Sequence, residues 1–145
     1  MEVTRRDTMA IGGAAVISTL IPSISVASTN DLIMGVTGGA NAATSGIDLT
    51  APEIAENGNQ VKVSFDIDSP MTNDDFVKTV YLLADGNPAP NVAKFSFSTE
   101  MGACSATTRM RLSKTQNVYL LAEYNNGKFA MTKSKVKVTI GGCGG

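Results

Sequence analysis

Two cysteines are the side chains most suited to chemistry in this sequence, and Cys143 stands in Gly141-Gly142-Cys143-Gly144-Gly145 at its end. Four glycines strip the backbone around that thiol of side chains and give it wide φ/ψ freedom, so the five residues read as a thin, mobile arm. At roughly 3.4 Å per residue such an arm extends about 17 Å. That combination suits a thiol offered to the narrow active sites of other proteins. An exposed thiol with a pKa of about 8.5 is only a few per cent thiolate at neutral pH, and the carboxylate two residues on disfavours ionisation further. Activation therefore falls to the client enzyme, which makes Cys143 an attachment site rather than a catalytic nucleophile. The alternative is a frayed tail whose cysteine pairs with Cys104 or dimerises by disulfide. Cys104 itself, in Gly102-Ala103-Cys104-Ser105, reads as a small buried hydrophobe.

The chain has 145 residues with no His and no Trp, so a His-based triad or a closed Cys/His zinc site is outside its means. No catalytic residue and no metal ligand is expected. Lys plus Arg number 12 against 13 Asp plus Glu, for a net charge of -1, which excludes a basic nucleic-acid groove. The charges are nevertheless segregated. Three lysines face ten carboxylates from Ser28 to Glu100, whereas seven basic residues face only Glu123 beyond that. Solvated faces of opposite sign account for this, as does a basic surround at the base of the arm that attracts an anion or an acidic partner. Arg109 and Arg111 carry the same two readings, as solvent-facing strand residues or as contacts to an anionic adduct.

The elements that must position the arm follow a cleavable leader. Met1 to Asp7 is polar and includes Arg5 and Arg6, Met9 to Ile24 is apolar but broken by Gly12, Gly13 and Pro22, and Ser25-Val26-Ala27 closes with small residues. Residues 1–27 therefore read as an export signal peptide of twin-arginine type, the alternative being a retained anchoring helix. Beyond it, period-2 alternation dominates. Val61, Val63, Phe65 and Ile67 alternate with polar residues, and Val77 to Ala84 is a β-branched and aromatic run. Ala93-Phe95-Phe97, Thr108-Met110-Leu112 and Val118-Leu120-Ala122-Tyr124 alternate likewise. Asn125-Asn126-Gly127 then signals a hairpin into a strand with Val136, Val138 and Ile140 on one face and Lys133, Lys135 and Lys137 on the other. Six or seven short strands predict an all-β chain, an immunoglobulin-like antiparallel β-sandwich over residues 28–140 with a flexible C-terminal arm over 141–145. Its N-terminal segment is irregular or briefly helical near Asp31 to Val36, where glycines oppose a helix.

Taken together, Ala51-Pro52-Glu53-Ile54-Ala55-Glu56-Asn57-Gly58, the Asn87-Pro88-x-Pro90 turn, Thr108-Arg109-Met110-Arg111-Leu112 and the ending Val136 to Gly145 resemble the SoxY family, sulfur-carrier subunits of bacterial thiosulfate oxidation. The resemblance spans about Ile33 to Gly145. It implies a periplasmic carrier, not itself an enzyme, that holds sulfur intermediates covalently on Cys143 and has no cofactor beyond that adduct. It implies a heterodimer with a SoxZ-like β-sandwich subunit. It also implies service to a thiosulfate-coupling haem enzyme, a dimanganese sulfate-releasing hydrolase and a molybdenum and haem sulfane dehydrogenase. An exported thiol-redox protein and a structural β-sandwich subunit are the alternatives. Neither nucleic acid nor, after signal cleavage, a membrane is an expected partner.

Overall fold

A computed structural model describes residues 28–142 of the chain. The leader with Arg5 and Arg6, and Cys143, Gly144 and Gly145, lie outside the described residues. A helix, α1 (Thr29–Thr37), precedes eight strands: β1 (Ile47–Thr50), β2 (Ile54–Asn57), β3 (Val61–Ile67), β4 (Val77–Ala84), β5 (Asn91–Ser96), β6 (Cys104–Met110), β7 (Gln116–Tyr124) and β8 (Phe129–Ile140). They form two facing sheets, one of three strands in the order β1-β3-β6 and one of five in the order β2-β8-β7-β4-β5. The core lies between them. Val61, Val63, Phe65 and Ile67 of β3 face Val80, Leu82 and Ala84 of β4, Val118, Leu120 and Ala122 of β7, and Val136 of β8. Alternation puts one face of each strand in that core, so every second residue contributes burial. Phe95 and Phe97 meet Phe65 edge to face, with ring centroids 5.3 and 6.1 Å away.

The all-β sandwich agrees with the sequence reading, and two details differ from it. One pair is parallel: β2 runs alongside β8, with Ile54 opposite Lys137 and Asn57 opposite Ile140. After β1 the chain crosses from the small sheet to the edge of the large one through Ala51-Pro52-Glu53, and it keeps the direction of β8 when it arrives. The crossing seals that side of the sandwich. Ile140, expected on the inner face with Val136 and Val138, is 66% exposed because β8 outruns the core at its end. The short helix allowed near Asp31 to Val36 forms, over Thr29–Thr37, despite Gly35. Ser28 and Asp31 make a reciprocal capping box, and Gly38, at φ 62°, closes the other end in a left-handed turn. Leu32 and Val36 then line a small apolar recess with Tyr81, Leu83 and Leu121 on the outer face of the large sheet. Burial there outweighs the weak helix propensity. The Asn125-Asn126-Gly127 hairpin joins β7 to β8 as the sequence predicts, with Gly127 at φ 81°.

Candidate functional site: the root of the C-terminal arm

The arm leaves the sandwich at the end of β8, where three backbone segments converge. The Gly58 N–H donates to the Ile140 carbonyl at 2.7 Å, the Leu112 N–H to the Gly58 carbonyl at 2.8 Å, and the Gly142 N–H to the Leu112 carbonyl at 2.8 Å. These bonds form a ring that ties Ile140 and the second arm residue, Gly142, to the turn after β2 and the loop after β6. Thr115 adds a fourth tie, its hydroxyl oxygen accepting from the Val138 N–H at 2.9 Å. Leu112 is fully buried and anchors its loop to the core.

Glycine is required here for approach. A Cβ on Gly58 would overlap the Leu112 carbonyl oxygen, one on Gly141 would overlap that of Ser113, and one on Gly142 would sit 2.7 Å from that of Gly58. Gly58 does not adopt a positive φ, so close packing alone explains its lack of a side chain. Hence Gly141 and Gly142 are packed against the body, Gly142 being buried, where the sequence suggests an arm free from Gly141 onward. The lack of a side chain argues against packing only for side chains; here the backbone packs instead.

Beneath the ring lies a buried polar network. After β4, Gly86 donates its N–H to Gln116 Oε1 at 2.8 Å. Asn87 Oδ1 accepts from the Ser113 N–H at 3.0 Å and from Gln116 Nε2 at 2.8 Å, while Asn87 Nδ2 donates to the Arg111 carbonyl at 2.8 Å. Gln116 Nε2 also reaches the Lys114 carbonyl at 2.9 Å, and Ser113 Oγ donates to the Gly86 carbonyl at 3.0 Å. Asn87 and Gln116 are 8% and 5% exposed, and both side-chain amides are fully engaged. A satisfied network of this kind rigidifies what it touches. It holds the 111–115 loop whose carbonyls receive the arm. In sequence, Asn87-Pro88 reads only as a turn and Gln116 does not stand out; a polar residue opening an otherwise apolar strand is the available signal.

Cys104 lies elsewhere. It opens β6 opposite Ile67, is 2% exposed and free, and burial, with a smaller push from Asp66, raises its thiol pKa to about 12. The buried-hydrophobe reading therefore holds. β6 separates Cys104 from the arm root by about 20 Å at 3.3 Å per residue. Arg109 and Arg111 are exposed and line a groove of about 290 Å³ with Asn87 and Asn91. Arg111 and Lys114 flank the two residues that receive the arm, whereas Lys128 and Lys133 lie toward the other end of β8. Among the described residues no cluster of three or more Cys, Asp or Glu side chains could hold a metal, and no helix is long and apolar enough to cross a membrane.

The family described as "Sulfur oxidation protein SoxY" matches residues 33–143. This chain belongs to the SoxY family. Its fold resembles that of the sulfur carrier protein SoxY from Chlorobium limicola f thiosulfatophilum, with 30% identity, a TM-score of 0.63, and coverage of 77% of this chain and 96% of that one. Superoxide reductase (neelaredoxin) from Ignicoccus hospitalis aligns at a TM-score of 0.56 and 15% identity over 78% of this chain and 94% of that one. A putative superoxide reductase from Thermotoga maritima aligns at 0.53 and 19% over 63% and 84% respectively. At those identities the two reductases share with this SoxY family member its fold alone. Among curated protein sequences none matches significantly.

Proposed function

We propose that this chain is the covalent carrier of sulfur intermediates in thiosulfate oxidation, holding them on Cys143 and presenting them to partner enzymes. The observation that carries the reading is the reach of the family match, which runs through residue 143 and so includes the arm cysteine. The narrow glycine-built root supports it, since backbone alone leads to the thiol. The chain has no His to act as a general base, so proton removal and oxidation fall to the haem, manganese and molybdenum enzymes that act on the arm. The sulfur adduct is cargo rather than a resident cofactor. Export to the periplasm through the leader with Arg5 and Arg6, and pairing with a second β-sandwich subunit of SoxZ type, complete the proposal. A thiol-redox protein would need a resolving cysteine, and Cys104 is buried about 20 Å from the arm root.

Intact-mass measurement after incubation with thiosulfate and the coupling enzyme tests this directly. The expected result is a thiosulfate adduct on the peptide that contains Cys143, lost in Cys143→Ser with no fall in Tm. An adduct on the Cys104 peptide with Cys143 unmodified would overturn the assignment.

A further inference from the structure

We propose that Gly58, Asn87 and Gln116 are positioning residues for the carrier thiol, extending the held part of the chain from Ile140 to Gly142. The inference rests on the reading of Cys143 as the attachment site. It starts from the hydrogen-bonded ring through Ile140, Gly58, Leu112 and Gly142, in which every bond is between backbone groups and every close approach needs a glycine. The ring does not stand alone. Its central member, Leu112, lies between Arg111 and Ser113, and both are held by Asn87 from below, with Gln116 locking Asn87 in turn.

The consequence for the thiol is one of reach. With the root docked, Cys143 is a single Cα step of about 3.8 Å from a fixed residue; with the root released it is three residues, about 10 Å, from the last fixed one. Allowing for the side chain, docking confines the sulfur to a volume roughly tenfold smaller and raises its effective concentration at a bound client in proportion. Asn87 and Gln116 act on the arm through the 111–115 loop, whereas Gly58 touches it directly through its bond to the Ile140 carbonyl and its close approach to Gly142.

The test uses the mature chain and reads the root in two ways. Hydrogen exchange of the Gly142 amide should be at least tenfold slower than in an unstructured peptide, because its N–H is bonded and buried. A nitroxide on Cys143, with Cys104 protected by burial, should tumble severalfold faster in Gly58→Ala and Asn87→Ala, while Gly35→Ala, whose new Cβ meets nothing within 4 Å, leaves it unchanged. In reconstituted thiosulfate coupling the two root variants should raise the KM for the carrier severalfold and leave kcat in place, a split that general destabilisation would not produce. Free-peptide exchange at Gly142 in the unsubstituted chain, or equal label mobility in all folded variants, would overturn the proposal. Should both root variants fail to fold, the Gly142 amide alone decides. Amide and label report on the docked root whether or not Cys143 carries sulfur, so absence of the thiosulfate adduct, which sinks the carrier reading, is told apart from a root that is not docked.

Discussion

Replacing Asn87 by Ala removes the side chain that holds the Arg111 carbonyl, the Ser113 N–H and the Gln116 side-chain amide under the arm root. The Ser113 N–H and the Arg111 carbonyl lose their partner, whereas Gln116 Nε2 keeps the Lys114 carbonyl. A buried polar group left unpaired costs about 1–3 kcal/mol, so two of them bracket the loss at about 2–6 kcal/mol. Asn87 also lines two open grooves, one with Pro88 and Pro90 and one with Arg109 and Arg111, through which water can reach the stranded groups. The expected loss is therefore toward the lower end, about 2–3 kcal/mol. Urea unfolding followed by far-UV circular dichroism measures it, and a constant m-value would show that compactness is unaffected. A cycle with Gln116→Ala sharpens the result. Because the two amides bond to each other, the double variant should lose less than the sum of the singles by about 0.5–3 kcal/mol. Asn87→Ala within about 0.5 kcal/mol of the parent, or strict additivity in the cycle, would refute the reading of a coupled network.

Cys104 should resist thiol reagents in the folded chain and react only on unfolding, so a count of fast-reacting thiols should give one per chain. Its thiol pKa stands at about 12 in the fold against an ordinary value of 9.0, so the stability its burial contributes is full below about pH 9 and is lost as pH rises toward 12. Cys104→Ala should flatten the alkaline limb of a Tm-against-pH curve, and an equally steep limb would contradict the assignment. On the large sheet, burial and then Glu123 raise the Tyr81 phenol pKa. Glu123→Gln should lower that pKa while leaving it above the ordinary range, as read by phenolate absorbance. The half-exposed Lys78–Glu123 pair, at 3.0 Å, should contribute under about 1 kcal/mol to stability, which a double-substitution cycle at the two positions would measure.

Much of the sandwich was legible because β3, β7 and β8 carry alternating apolar residues, β4 is a β-branched and aromatic run, and the Asn-Gly turn marks the final hairpin. β1 and β2 were not legible, being four residues each and separated by Pro52, too short for periodicity to register. The helix was legible only as a brief possibility near Asp31 to Val36, because its stability comes from a capping box and from Leu83 and Leu121 beneath it, neither of which propensity measures. The arm was conspicuous as composition, but its docking was not. Gly58 reads as one more turn glycine until the Leu112 carbonyl is placed against it, and Asn87 as a turn residue until Gln116 arrives from β7. Such contacts join positions with no local signature, so a single sequence carries no trace of them.

The parallel pairing of β2 with β8 bears on when this molecule can finish folding. Its partners are roughly eighty residues apart in the chain, and contacts of such separation form late because a long loop must close before they contribute. Until β8 has been synthesised and docked, β7 presents an open edge and β2 has nothing to pair with. The strand that completes the large sheet is also the strand that leads into the arm. A chain broken off before β8 would therefore lack both the cysteine and a sealed fold, so a folded sandwich without its reactive end would be a rare product of interrupted synthesis.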